Sequence, residues 1–300
     1  MFVSVIVPTY QRPNFIGDCL DSICQNPGHY EIIVMDQSRD DLTEHVVRSK
    51  GEPCIIYQRL SRKGASRAKN IAIRMSKGDS LLFTDDDCLV SQDWIGAITG
   101  IFERHQEIGA IAGKVMPDYS RQSLLVEPRS VWLEESERVF KVLVDPWQVG
   151  GGSGNNLAIR KDSLKSAGLF DEMLGPGAPL KSGEDGDMVY RLLKTGINIL
   201  YSPEVLVYHR AWRSREDNLR LSFNYGLGRG GFLTKHIAER DNFVYKLSIK
   251  LLQQTLKRLF TVSTGPARAE ASYFLVGLLL GQILMAHHVI TKKHSHINHS

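Results

Sequence analysis

The chain has 300 residues, 42% of them hydrophobic and 23% charged, with a net charge of +4. That balance excludes a disordered or low-complexity chain and fits one large domain, or one domain with an appendage. Cys19, Cys24, Cys54 and Cys88 follow no metal-ligand spacing and read as free, mostly buried thiols in a reducing compartment.

The N-terminus has no basic region and no cleavage pattern. Phe2-Val3-Ser4-Val5-Ile6-Val7 reads as a first strand rather than a signal peptide, so the expected location is cytoplasmic. The spacing predicts a helix over 14–25, with Phe15, Ile16, Cys19, Leu20 and Ile23 on one face. Strands are expected at 31–35, ending at Asp36, and at 54–58. A helix over 65–76 follows, with Ala68, Ile71, Ala72 and Met75 on one face and Gly78 closing it, and then a strand at 81–84. Apolar strands alternating with helices imply a mostly parallel sheet covered on both faces. Ligands of such sheets bind outside the carboxyl ends of the strands, where Thr9, Asp36, Asp85, Asp86 and Asp87 fall.

The run Thr84-Asp85-Asp86-Asp87 carries the most chemical information. Three carboxylates at the mouth of a buried strand repel one another and resist desolvation. A divalent cation removes that cost, and oxygen ligands suit Mg2+ or Mn2+, which in turn hold phosphate oxygens. Taken alone, the triplet reads equally well as a solvated acidic turn.

Residues 117–149 are less regular, with Pro117, Pro128 and Pro146. A glycine-rich bend at 150–154 leads to a strand at 156–159 and a short helix at 161–167 ended by Gly168. A helix over 185–195 has acidic residues in its first turn and Gly196 after its end, as the dipole favours, and strands are expected at 197–201 and 205–208.

Beyond about residue 220 the character changes. The stretch 243–261 is amphipathic, with Lys246, Lys250, Lys257 and Arg258 opposite Leu247, Leu251 and Phe260. The stretch 273–290 is apolar but broken by Gly281, Gln282, His287 and His288, near the lower limit of the roughly 20 residues a span needs. An interfacial helical hairpin is expected rather than a crossing; ordinary core packing is the alternative. His294, His296 and His299 mark a polar tail. From Lys235 onward nine Lys/Arg face three Asp/Glu, an excess of +6 that leaves −2 on the first 234 residues. The basic end suggests an anionic membrane surface, and no nucleic acid is expected because no aromatic platform interleaves the charges.

Several segments then carry a resemblance. They are Ser4-Val5-Ile6-Val7-Pro8-Thr9-Tyr10, Val34-Met35-Asp36 and Gly64-Ala65-Ser66-Arg67-Ala68-Lys69-Asn70, followed by Phe83-Thr84-Asp85-Asp86-Asp87 and Gly152-Ser153-Gly154-Asn155-Asn156-Leu157-Ala158. Gly168-Leu169-Phe170-Asp171-Glu172, Gly183-Glu184-Asp185-Gly186-Asp187 and Val207-Tyr208-His209 complete the set. In this order, over roughly residues 1–215, they resemble a family 2 glycosyltransferase of the GT-A fold. The resemblance implies an α/β, Rossmann-like catalytic domain over 1–220, and a basic, amphipathic helical appendage over 221–300 that associates with membrane.

It also implies roles. Pro8, Thr9, Tyr10 and Asp36 resemble donor-binding positions, with Asp36 accepting from a uracil-type N–H, so that a UDP-sugar is favoured. Arg67 and Lys69 lie near a basic donor position, where the usual Ala-Arg-Asn reads Ala68-Lys69-Asn70. Asp85 and Asp86 resemble contacts to ribose and sugar diphosphate, Asp87 a metal ligand, and His209 an imidazole ligand found in part of the family. Asp185 resembles the general base, with Glu184 orienting the acceptor, and Arg210, Arg213 and Arg215 are candidates to clamp the diphosphate. Purely structural readings stand beside these: a capping hydroxyl for Thr9, helix caps for Asp36, Glu184 and Asp185, and solvated faces for the basic residues.

The implied reaction is inverting transfer from a nucleotide diphosphate-sugar to a hydroxyl of a glycan or lipid-linked acceptor, as in surface polysaccharide assembly. The enzyme is expected peripherally, on the inner face of the cell membrane. The Gln-x-x-Arg-Trp motif of processive members is absent; the nearest segment is Ala211-Trp212-Arg213, so single addition is expected. A non-catalytic nucleotide-sugar-binding scaffold is the alternative. A nucleotidyltransferase is disfavoured, because the loop after the first strand reads Pro8-Thr9-Tyr10-Gln11-Arg12 rather than a glycine-rich phosphate loop.

Overall fold

The computed structural model describes residues 1–118, 130–152, 154–210, 213–261 and 265–297. Pro128, Ser153, Ala211, Trp212 and His299 lie outside them, as do the side chains of His294 and His296. The chain divides into two compact units: Met1–Phe170 with Asp185–Trp212, and Asp171–Glu184 with Arg213–Ser300.

The first unit is built on one mixed sheet. Among the described residues nine strands take part, in the order β3-β2-β1-β4-β8-β6-β9-β5, with β7 also pairing β9. They are β1 (Val3–Thr9), β2 (Tyr30–Asp36), β3 (Ile55–Arg59), β4 (Ser80–Phe83), β5 (Cys88–Val90), β6 (Ile108–Asp118), β7 (Arg138–Phe140), β8 (Leu157–Arg160) and β9 (Asn198–Arg210). The parallel arrangement expected from strand–helix alternation holds from β3 through β4. Beyond β4 the sheet becomes mixed: β8 runs antiparallel to both β4 and β6, while β9 runs parallel to β6.

Helices cover both faces. On one side lie α1 (Pro13–Cys24) and α4 (Trp94–Arg104), with α2 (Leu42–Ser49) beside α1. They bury Ile16, Cys19, Leu20, Ile23, Trp94, Ile98 and Phe102 against Val3, Val5 and Val7. On the other side α3 (Ala65–Met75), the short α5 (Leu164–Ala167) and α6 (Glu184–Lys194) bury Ala68, Ala72, Met188 and Leu192 against Ile6, Leu81 and Phe83. The strand period of two sends alternate β1 residues to opposite cores. Each fully buried aliphatic side chain contributes about 1.5–3 kcal/mol.

The strands expected at 197–201 and 205–208 are one strand. Its pairing with β6 continues across a register shift between Gly113 and Lys114, which absorbs the Pro203-Glu204-Val205 segment.

The second unit holds α7 (Arg215–Ala238), α8 (Asn242–Thr261) and α9 (Pro266–Ile297). A capping box starts α7: Ser214 Oγ accepts from Asp217 N at 3.1 Å, and Ser214 N donates to Asp217 Oδ2 at 3.2 Å. Helices α7 and α9 run parallel at backbone contact. A Cβ on Gly226 would collide with the Phe274 carbonyl, and one on Gly281 with the Leu227 carbonyl. Leu174, Leu180, Leu227 and Met285 form this unit's small core, and Lys235 Nζ meets Asp171 Oδ2 at 2.9 Å.

Candidate active site

The parallel strands bring their carboxyl ends to one edge. Thr9 and Asp36 are paired in register at the ends of β1 and β2. Strand β4 pairs with Val3–Ile6 of β1, so its chain continues alongside the carboxyl end of β1 and turns through Asp85, Asp86 and Asp87; the Cys88 N–H closes this turn on the Asp85 carbonyl at 3.1 Å. Thr9 Oγ1 donates to Asp86 Oδ2 at 2.7 Å.

Arg12, just before α1, supplies a counter-charge that the sequence reading left unassigned. Its Nη1 donates to Asp86 Oδ1 at 2.7 Å and to Asp87 Oδ2 at 3.0 Å. Burial works against this guanidinium, but Asp86 and Asp87 more than offset it and hold the cation firmly protonated. Burial pushes the Asp86 carboxyl up to about 6 against the downward pull of Arg12. The Asp85 carboxyl is also raised, by burial first and then by Asp87, with Asp185 adding to the rise and Lys69 and His209 opposing it. One carboxyl therefore feels both Asp87 and Asp185.

His209 lies opposite Cys88 in the antiparallel pairing of β5 with β9. Its Nε2 stands 3.5 Å from Asp87 Oδ1, and both side chains are nearly fully buried. Its Nδ1 is buried with no hydrogen-bond partner among the described residues. A shared cation fits this pair, because two cis ligands of a hard divalent ion stand about 3 Å apart. The acidic run is what a cation would satisfy, and it would do so through Nε2, the ring nitrogen beside Asp87 rather than the unpartnered Nδ1.

Asp185 stands at the start of α6. Lys69 Nζ, from α3, donates to its Oδ1 at 2.6 Å, and Gly154 N donates to its Oδ2 at 2.9 Å. Lys69 is 2% exposed and Asp185 15%, so the lysine is enclosed and mainly the carboxylate reaches solvent. A Cβ at residue 154 would overlap that carboxylate and displace it. Gly186 serves the Trp147 indole in the same way: its Cβ would come within 2.7 Å of the ring.

The remaining expected residues divide. Pro8 is buried within β1, and Tyr10 lies under the Lys63 ammonium, 3.8 Å from the ring centre. Asp36 is fully buried and already engaged: it accepts from Ser38 N at 2.7 Å and from Tyr57 OH at 2.8 Å. It is not a helix N-cap; Asp41 occupies that position before α2. Arg67 is half-buried, about 200° around α3 from Lys69, so Lys69 is the basic residue that meets Asp185. Glu184, the first residue of α6, is buried and ends the first segment of the second unit. Arg210 is committed elsewhere, donating to Asp18 Oδ2 at 2.5 Å. Arg213 and Arg215 belong to the second unit.

The α/β sheet thus carries an acidic turn at its carboxyl edge, and Asp185 stands at the start of α6. The family model for glycosyl transferase family 2 matches residues 4–168, and the chain belongs to that family. An uncharacterized glycosyltransferase of Haemophilus influenzae is 26% identical over 200 residues, covering 64% of this chain and 62% of that protein. Among solved structures, the mannosyltransferase PcManGT from Pyrobaculum calidifontis, in complex with GDP-Man and Mn2+, is 16% identical with a TM-score of 0.62; the likeness covers 94% of this chain and 86% of that one. S. aureus TarS 1-349 in complex with UDP is 19% identical with a TM-score of 0.57, covering 94% and 89%. These likenesses place the chain in the GT-A fold.

Proposed function

We propose that the protein transfers a sugar, with inversion, from a nucleotide diphosphate-sugar to a hydroxyl of a glycan or lipid-linked acceptor, one residue at a time, in surface polysaccharide assembly. The observation that supports this reading is the Asp85 carboxyl, raised by burial first and then by both Asp87 and Asp185. A cation-binding acidic turn and a candidate base thus border one space within the first unit.

Asp87 and His209 would hold Mg2+ or Mn2+. When bound, the cation supplies positive charge against the negative charge that grows on the departing diphosphate. The chain's own residues do the rest. Thr9 and Asp36 mark the base and ribose end, with Pro8 and Tyr10 shaping the loop above it. Asp85 and Asp86 face the ribose and diphosphate. A UDP-sugar is the favoured donor; TarS in complex with UDP supports that choice, while PcManGT in complex with GDP-Man keeps a guanosine donor in the test.

Asp185 takes the acceptor's proton as its oxygen attacks the anomeric carbon, from the face opposite the diphosphate. Such general-base help is worth about 10²–10⁴-fold. Lys69 and Gly154 each hold one oxygen of the carboxylate, leaving its remaining lone pairs for the acceptor. Glu184 would orient the acceptor.

The second unit suits a peripheral site on an anionic membrane surface. Tyr245, Ile249, Leu252, Leu256 and Phe260 form an exposed apolar stripe along α8, with Lys246, Lys250, Lys257 and Arg258 on the same helix. The stretch Ala267–Lys292 of α9 is long and apolar enough to cross a membrane, and 22% of its most apolar window is buried.

The testing experiment measures release of nucleoside diphosphate from UDP-, GDP- and dTDP-sugars, with and without Mn2+, over a panel of glycan and lipid-linked acceptors. Mn2+-dependent release from one donor supports transfer. Binding without turnover of any donor supports the scaffold reading.

A further inference from the structure

The residue after the acidic run is a cysteine, buried in the apolar core beside the same centre. Strands β5 and β9 pair Cys88 directly with His209, and directly opposed residues share one face of a sheet. The Cys88 sulfur, an Asp87 carboxylate oxygen and a His209 ring nitrogen all lie within 4.8 Å of one another, and all three residues are buried. The His209 Nδ1 has no hydrogen-bond partner among the described residues.

Hard ions do not need the sulfur, since Mg2+ and Mn2+ prefer carboxylate, carbonyl and water. Thiolate with imidazole and carboxylate is the donor set of Zn2+ and its soft analogue Cd2+. We infer that Asp87, Cys88 and His209 form a mixed-donor site that takes a thiophilic divalent cation, with Cys88 Sγ as the ligand that separates it from Mg2+ and Mn2+. The inference shares Asp87 and His209 with the proposed donor site. Three protein ligands leave a fourth tetrahedral position open to a phosphate oxygen or water. Coordination takes the thiolate, so the thiol proton is released to solvent as the ion binds. Zn2+ also outranks Mn2+ for nitrogen and sulfur donors, so it binds without nucleotide and competes with Mn2+.

The chain contains a rival soft site. Cys24, at the end of α1, and Cys54, just before β3, are half-buried free thiols, and each acts electrostatically on the other. The experiment separates the two. The full chain is titrated with Cd2+ while the ultraviolet sulfur-to-metal charge-transfer absorption is followed, in wild type, Cys88→Ser, His209→Gln and the Cys24→Ser/Cys54→Ser variant. The inference expects a one-equivalent band that persists in the Cys24/Cys54 variant. It expects Cys88→Ser to lose the band, and His209→Gln to weaken Cd2+ binding by at least about 10–100-fold. A band that survives Cys88→Ser, or that vanishes with Cys24 and Cys54, overturns it.

Cys88 is buried, so a folding defect in that variant is bypassed by zinc-edge X-ray absorption on the Cys24→Ser/Cys54→Ser protein. A sulfur shell near 2.3 Å supports the site, and a shell of nitrogen and oxygen alone overturns it. Mn2+-dependent nucleotide binding by wild type is measured in parallel. Its absence counts against the donor reading, whereas an absent sulfur band counts against this one.

Discussion

Asp185→Asn separates chemistry from architecture. The side chain keeps its shape, and an amide oxygen can still accept from Gly154 N, now 2.9 Å from Oδ2. What is lost is the negative charge, and with it both the base and the partner of Lys69. Turnover should fall by about 10²–10⁴, equivalent to about 2.7–5.5 kcal/mol of transition-state stabilisation. Stability should fall as well. Lys69 is 2% exposed and would lose its carboxylate partner, a loss that typically costs about 3–5 kcal/mol for a buried pair. Because Asp185 itself keeps 15% exposure, the low end applies, about 3 kcal/mol. At about 2–4 °C per kcal/mol, Tm drops by about 6 °C or more. The assay is nucleoside diphosphate release at saturating donor, acceptor and Mn2+, well below the variant's Tm. Adding Lys69→Met to Asp185→Asn removes the stranded charge, and should recover much of the Tm without recovering turnover. A folded Asp185→Asn protein that turns over within threefold of wild type refutes the role assigned to this carboxylate.

Three further outcomes are expected. Asp87→Ala should abolish the rise in Tm that nucleotide plus Mn2+ gives wild type; a full rise in the variant rules Asp87 out as a ligand. Gly154→Ala should push the Asp185 carboxylate out of place, cutting turnover at least tenfold while leaving nucleotide affinity unchanged, as calorimetry would read it. The Asp86 carboxyl, held up at about 6, binds its proton more tightly in the folded chain than in the unfolded one, where the ordinary value is about 3.9. Its contribution is therefore fully present below about pH 4 and is lost as pH rises through about 6, a change of about 3 kcal/mol. In chelator, wild type should lose stability relative to Asp86→Asn between pH 4 and 6 in denaturant titrations, and saturating Mn2+ should flatten that difference; a flat difference without metal contradicts it.

The strand ends were legible because period and burial fix them locally. Val3, Val5 and Val7 mark β1, so Thr9 had to emerge at its carboxyl edge, next to Asp36 and the acidic run. Asp185 was legible as an acidic helix start. Three glycine-bearing elements were not. Helix α4 carries Gly96 and Gly100, β6 carries Gly109 and Gly113, and α7 carries Gly226, Gly228, Gly230 and Gly231. Glycine weakens the intrinsic preference, and tertiary packing decides instead, as where α7 and α9 meet backbone to backbone. Side-chain partners were equally hidden. Arg12 reaches Asp86 across 74 residues, and Lys69 reaches Asp185 across 116, distances in sequence that only the folded topology closes. Asp36 looked open to a ligand, yet Tyr57 from β3 already occupies one of its oxygens.

The most direct test of the account is a crystal structure of the protein with Mn2+ and the nucleotide-sugar that it turns over or binds best. The account predicts the ion in direct contact with Asp87, His209 and the diphosphate, and the anomeric carbon facing Asp185. An ion and nucleotide bound away from Asp87, or a sugar whose anomeric carbon turns from Asp185 onto another surface, would contradict it.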